Sequence, residues 1–118
     1  MRNMNIFEKL ENNAAKNNYI DNIAITQIMS SNNVRTLSYK ELFELSTKVS
    51  QLLLKLNIKR NEKIYISSSD SINFISSFLG AIKIGVIPIP GNPELSKDQT
   101  LHILNDSKPA IILSDNNL

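Results

Sequence analysis

The chain has no cysteine, no tryptophan, one histidine and three glycines in 118 residues. The missing cysteines exclude disulfides, thiolate catalysis and cysteine-ligated metals. A lone His102 with no second histidine and no flanking carboxylate pattern offers no metal site and no catalytic triad by local spacing. So few glycines leave no G-x-G-x-x-G and no G-x-x-x-x-G-K-[ST], the two glycine-rich loops that let a backbone close on phosphate. No apolar run reaches the roughly 18–20 residues a bilayer span requires. The N-terminal stretch MRNMNIFEKLENNAAKN holds no apolar run followed by a small-residue cleavage site. No secretory signal is read, and the cytoplasm is the expected compartment. Lysine and arginine are not interleaved with aromatics and the net charge is only +2, which gives no support to a nucleic-acid surface.

What is present is an ordinary globular composition, 42% hydrophobic and 20% charged. At this length one small domain is expected, burying about two-thirds of its unfolded surface. Asparagine is used heavily, and from sequence alone this reads as compositional bias.

Asn5 followed by Glu8 has capping-box spacing and opens a helix over 5–18, with Ile6, Phe7, Leu10 and Ala14 as its apolar stripe. Such a helix is expected to pack on the domain, its charges being too mixed for a membrane surface. Residues 22–29 and 34–37 read as two strands of a hairpin around Ser30-Ser31-Asn32-Asn33. Ser38 with Glu41 is a second capping box. The helix it opens, 39–56, carries Leu42, Leu45, Ser46, Val49, Leu52, Leu53 and Leu56 on one face, the pattern of a helix laid on a sheet.

The stretch 63–93 organises the rest. Residues 63–67 form a β-branched strand. Ser69 or Asp70 caps a helix over 71–84 that is apolar around most of its girth, through Ile72, Phe74, Ile75, Phe78, Leu79, Ala81, Ile82 and Ile84. Such a helix is buried on more than one side, and its second side is expected to need cover from beyond these residues. Gly85 stops it. Residues 86–90 are a short strand whose Pro88 and Pro90 confine it to an edge or an end. Ser96 with Gln99 is a third capping box, opening a helix over 97–106, and 110–113 is a last strand before the polar 114–117. Strand, helix, strand, helix, strand from 63 to 113 predicts an α/β fold. It has a small parallel sheet in a three-layer arrangement with right-handed crossovers, preceded by a helix, a β-hairpin and an amphipathic helix.

Chemistry is scarce. Phosphate in such a fold sits at the loop after the first parallel strand. Here that loop is Ser67-Ser68-Ser69-Asp70-Ser71, with hydroxyls, no glycine and an aspartate that repels phosphate. It reads as a serine-rich helix cap. Asp98 and Asp106 read as helix-boundary residues, Glu41 as a capping partner, Tyr39 and Tyr65 as packing aromatics. No residue is singled out as catalytic, cofactor-binding or metal-binding.

Leu37-Ser38-Tyr39-Lys40-Glu41-Leu42 matches L-[TS]-Y-x-E-L, and 79–93, LGAIKIGVIPIPGNP, matches an apolar helix end, K-x-G, a proline-bearing strand and N-P. Asp21-Asn22-Ile23-Ala24-Ile25 and Asp106-Ser107-Lys108-Pro109-Ala110-Ile111-Ile112 fit the same order. These segments resemble the N-terminal part of the adenylate-forming, or AMP-binding, enzymes: acyl-CoA synthetases, non-ribosomal peptide adenylation domains and luciferases. The departures are Ile82 where leucine is usual and Gly91 where a larger apolar residue is common. The resemblance implies carboxylate activation by ATP and Mg²⁺ to an acyl-adenylate with release of pyrophosphate. Transfer to coenzyme A or to a carrier-protein phosphopantetheine thiol follows. It also implies that the family's phosphate loop, adenine and ribose contacts and catalytic lysine lie beyond Leu118. The expectation is therefore a single N-terminal subdomain over 1–118, a fragment of a larger adenylation domain, inactive alone, whose partners are the rest of that enzyme and a carrier protein. The alternative is a stand-alone α/β interaction module using an exposed apolar face.

Overall fold

The structure, a computed structural model, describes residues 5–30 and 32–115. Ser31 of the predicted turn and Asn116 and Asn117 of the polar tail lie outside them. Nine elements follow in the predicted order: α1 (Ile6–Lys16), β1 (Ile23–Ser30), β2 (Asn33–Ser38), α2 (Tyr39–Lys55), β3 (Lys63–Ser67), α3 (Ser71–Lys83), β4 (Ile87–Pro90), α4 (Lys97–Ser107) and β5 (Ile111–Ser114). The helices start where side-chain oxygens can take up their first free amides. Ser38 and Ser96 form full capping boxes with Glu41 and Gln99, Asn5 caps α1, and Asp70 rather than Ser69 caps α3.

The ends of α1, α2 and α3 share one device. The amide two residues past the cap bonds back to the carbonyl of the third-last helical residue: Tyr19 to Ala14, Ile58 to Leu53, Val86 to Ala81, each at 3.0 Å. The residue between adopts positive φ: Asn18 at 60°, Asn57 at 63°, Gly85 at 78°. This is the Schellman closure, and its apolar contact is present in each case, because both bonded residues fall in one core cluster. Asparagine is the side-chain-bearing residue that best tolerates this conformation. The heavy asparagine use is thus more than compositional bias: Asn18, Asn57 and Asn61 all have positive φ.

β1 and β2 form a two-stranded antiparallel sheet, and β4-β3-β5 a separate parallel one with β3 at its centre. The chain steps from β3 to β4 on one side and then across to β5 on the other. Right-handed crossovers in opposite directions place α3 and α4 on opposite faces. Ile64 and Ile66 of β3 point into a core shared with Leu53, Ile58, Ala81 and Val86. A second core joins Phe7 and Ala14 of α1 to Leu42, Phe43 and Leu79, with Ala24, Ile25, Ile75 and Ile82 against it. α3 lies between the two cores, which is why it is apolar all round.

Most of the cover expected from outside the chain therefore comes from inside it, chiefly from α2 and then from α1 and the hairpin. Other expectations shift for the same reason. Phe43 and Ser50, off the predicted stripe, are buried, whereas Leu52, Leu56, Ile6 and Leu10 are exposed. Asn5 ties the layers together. Its Oδ1 accepts from the Glu8 amide while its Nδ2 donates to the Ile82 and Lys83 carbonyls at the end of α3. The Lys83 ammonium sits 4.7 Å over the Phe7 ring and donates to Thr47 Oγ1 at 2.7 Å.

Candidate functional site

In an open parallel sheet, ligands bind beyond the carboxyl ends of the strands, where successive connections leave in opposite directions. Here that place lies between the ends of β3 and β5. It is bounded by the 67–70 loop, the start of α3 and Asp115 after β5.

Three of the chain's own side chains engage its polar groups, beside an open groove of about 270 Å³ lined in part by Ser68, Asn73 and Asp115. Gln27 reaches in from the hairpin, its Oε1 accepting from the Ile72 amide at 2.9 Å and its Nε2 donating to Asp70 Oδ2 at 3.2 Å. Asp70 Oδ1 takes the Asn73 amide at 2.9 Å. Asp115 Oδ2 accepts from Ser68 Oγ at 2.7 Å and from the Asp70 amide at 3.2 Å. The carboxyl pKa values move accordingly. Asp70 is held below the usual carboxylate range mainly by the Asn73 amide and then by Gln27. Asp115 is held low mainly by the Ser68 hydroxyl. Hydrogen bonds to the charged form are the cause in both cases.

The amides of Ile72 and Asn73, which a phosphate at this helix start would use, are thus engaged by Gln27 and Asp70. Two carboxylates stand beside them. Among the described residues no three His, Cys, Asp or Glu side chains group to hold a metal ion. With these amides engaged, the helix start does not fit a nucleotide phosphate.

Asp70 was foreseen as one of two candidate caps with Ser69, and the serine-rich loop as a cap rather than a cradle. Gln27 and Asp115 were not foreseen, because their partners lie 45 and 47 residues away and leave no local signal. His102, Asp98 and Asp106 are exposed on α4 and do not join the crevice. Tyr39 stacks edge-on against Tyr19, with ring centres 5.1 Å apart. Tyr65 is buried, and its ring occupies the space a Cβ on Gly91 would enter, within 2.6 Å. The glycine that departs from the family pattern is therefore matched by a tyrosine on the neighbouring strand. Ser38 and Glu41 of the L-S-Y-K-E-L motif act as a helix cap, and Ser38 is the main cause of the lowered Glu41 pKa. A wider groove of about 470 Å³ between α1 and α2 is lined by Glu11, Lys40, Glu44 and Lys48 among others, charges of both signs with no convergent polar group.

An α/β subdomain with a proline-bearing edge strand and a helix start engaged by the chain's own side chains defines a structural class rather than a reaction. The family of AMP-binding enzymes matches residues 10–118, and the chain belongs to that family. Among curated relatives, the 4-hydroxybenzoate–CoA/benzoate–CoA ligase of Rhodopseudomonas palustris is 31% identical over 80 residues, 68% of this chain and 15% of that protein. The luciferin 4-monooxygenase of Photinus pyralis is 29% identical over 76 residues, 64% of this chain and 14% of that protein. The syringomycin synthase SyrB1 of Pseudomonas syringae is 31% identical over 81 residues, 69% of this chain and 13% of that protein. The chain thus spans a small part of the length of each of these relatives. Among solved structures, the N-terminal subdomain of Klebsiella oxytoca NpsA, in complex with 3-hydroxybenzoyl-AMSN, superposes with a TM-score of 0.83 at 17% identity. The match covers 97% of this chain and 27% of that one. The fold is that of part of the N-terminal subdomain of adenylate-forming ligases.

Proposed function

We propose that this chain is the N-terminal structural portion of an ATP-dependent ligase that converts a carboxylate and ATP to an acyl- or aminoacyl-adenylate and pyrophosphate. The acyl group then passes to coenzyme A or to a carrier-protein thiol. On this reading residues 1–118 are one subdomain of a larger, cytoplasmic adenylating enzyme. ATP and Mg²⁺ are held by residues beyond it, and the subdomain alone is inactive. The observation that carries the reading is the family match over residues 10–118, in a chain whose helix start after β3 has its amides engaged by its own Gln27 and Asp70.

Size supports the same reading. The chain exposes 8025 Å². A self-contained protein of its mass exposes about 6500 Å². The excess is on the scale of a whole protein–protein interface. The 118-residue chain is expected to show no ATP–pyrophosphate exchange with any carboxylate. Exchange above background would sink the proposal. A Ser/Thr/Gly-rich segment ending in Pro-Lys in the reading frame past Leu118 is the expected continuation, whereas a stop codon there favours the stand-alone interaction module.

A further inference from the structure

We propose that Met29 is an oxidation site, converted by a hydroperoxide to methionine sulfoxide, and that Gln27 passes the change to the start of α3, freeing the hairpin from that helix. The proposal goes beyond the ligase reading and does not depend on it. With no cysteine in the chain, two-electron oxidation by peroxide falls on its three methionines, Met1, Met4 and Met29. Met29 is the one of these among the described residues, and it is 55% exposed near the tip of the hairpin.

The register of the hairpin singles this residue out. Ile28 pairs with Val34 and Ser30 with Asn33, so β1 carries one residue more than β2 here, and Met29 has no Cα partner across the ladder. A bulge of this kind re-aims the side chain it carries. Gln27 Nε2 donates to Met29 Sδ at 2.8 Å and to Asp70 Oδ2 at 3.2 Å. Gln27 Oε1 accepts from the Ile72 amide at 2.9 Å. A glutamine amide nitrogen has two hydrogens, and both are committed. One side chain therefore joins the exposed sulfur to the first turn of α3.

A sulfur lone pair attacks the terminal oxygen of the hydroperoxide, and the O–O bond breaks. The new S–O bond takes two electrons from sulfur, and the peroxide gains them. The transferred oxygen gives its proton to the departing hydroxide or alkoxide, so water or an alcohol leaves. A weak acceptor has then become a strongly polar one. With Nε2 only 2.8 Å from Sδ, the line between them has no room for an oxygen. The Gln27 amide must swing to meet the new acceptor, and its bonds to Asp70 Oδ2 and the Ile72 amide loosen. The Asn73 amide keeps Asp70 Oδ1, so α3 stays capped while the hairpin lets go. Two thiols reverse the step in the presence of methionine sulfoxide reductases, leaving a disulfide and water.

The test treats the 118-residue chain with hydrogen peroxide. Peptide mass mapping reads the oxygen taken up at each methionine, and NMR reads exchange at each backbone amide. Met29 should be oxidised at a rate close to that of free methionine. The Ile72 amide should then exchange about 5-fold faster, the loss of one net hydrogen bond. The amides of Ile58 and Val86, bonded within the core, should not change. Dithiothreitol with the reductases for both sulfoxide epimers should restore the first rate. Met29→Leu should keep the fold and abolish the response while Met1 and Met4 still take up oxygen. Gln27→Ala should still be oxidised at Met29, with Ile72 exchanging fast from the outset and peroxide adding nothing. If Gln27→Ala does not fold, the Met29→Leu comparison decides alone. A Met29 thioether that survives the peroxide overturns the proposal. So does sulfoxide at Met29 with Ile72 exchange unchanged, or a response that persists in Met29→Leu. Faster exchange spread equally over α2 and α4 also overturns it, because that marks general loosening rather than release of the hairpin.

Discussion

Gly80 marks the closest approach of the two long helices. A Cβ there would stand 2.5 Å from the Ser46 carbonyl oxygen and 2.8 Å from Val49 Cβ, and Ser50 Oγ donates to the Gly80 carbonyl at 2.6 Å. Because backbone cannot yield as a side chain can, Gly80→Ala should cost about 1–3 kcal/mol by overpacking, more than its gain of roughly 1 kcal/mol in helix propensity. Urea denaturation measures it, and an unchanged midpoint would contradict the contact. At Asn57 the positive φ decides instead. Asn57→Gly should be close to neutral. Asn57→Val should cost about 1–2 kcal/mol in the same measurement, because a β-branched side chain crowds the left-handed region. The acid response also belongs to single residues. Glu41, Asp70 and Asp115 have pKa values lowered in the folded state. Their contribution is therefore complete above the ordinary carboxylate range near pH ~4. It is lost as pH falls through their lower folded values. Denaturation midpoints should fall below about pH 4, and Asp115→Asn should make that fall shallower.

Ser38 and Ser96 make identical capping boxes at the heads of two different helices. α2 buries Leu42, Phe43, Ser46, Ser50 and Leu53, whereas α4 buries no residue. Ser38→Ala should therefore lower global stability by about 1 kcal/mol. Ser96→Ala should fray α4, with faster amide exchange in that helix and little change in the global midpoint. Element order and nearly every boundary were legible in the sequence because their signals are local. Serine three residues before Glu or Gln, glycine after an apolar helix and a β-branched run each act within a turn of chain. α3 runs from Ser71 to Lys83 against an expected 71–84, and β3 fits its expected 63–67. What could not be read was set by partners distant in sequence. The girth of α3 announced cover on two sides but not that α2, α1 and the hairpin supply it. The stripe of α2 named Leu52 and Leu56 but could not tell that the cover stops short of them, nor that Phe43 turns to Phe7, with ring centres 5.5 Å apart. The crevice was legible as lacking glycine, not as having its amides and hydroxyl engaged by Gln27 and Asp115.

As a whole the molecule is a slab, 48 × 46 × 21 Å, with a radius of gyration of 15.4 Å. A self-contained domain of this length has a radius of gyration of about 13.5 Å. The open apolar surface falls on the Ile28–Val34 pair of the hairpin, on Leu52, Leu54 and Leu56, and on Leu101 and Ile112. The 118-residue chain should accordingly bind an apolar dye in its native state, a binding that the larger enzyme proposed above would lose. A dye-silent short chain would contradict the excess-surface argument. Asn5 carries a different consequence, one of timing. Its amide reaches a carbonyl 78 residues further on. At about 5–20 residues per second, a ribosome makes that partner roughly 4–16 s after Asn5. Until then α1 can coil but has nothing of α3 to rest against, and Phe7 waits for Lys83. The first helix made is thus among the last to be secured, and a nascent chain arrested before Lys83 would leave it open to a protease that the finished chain resists.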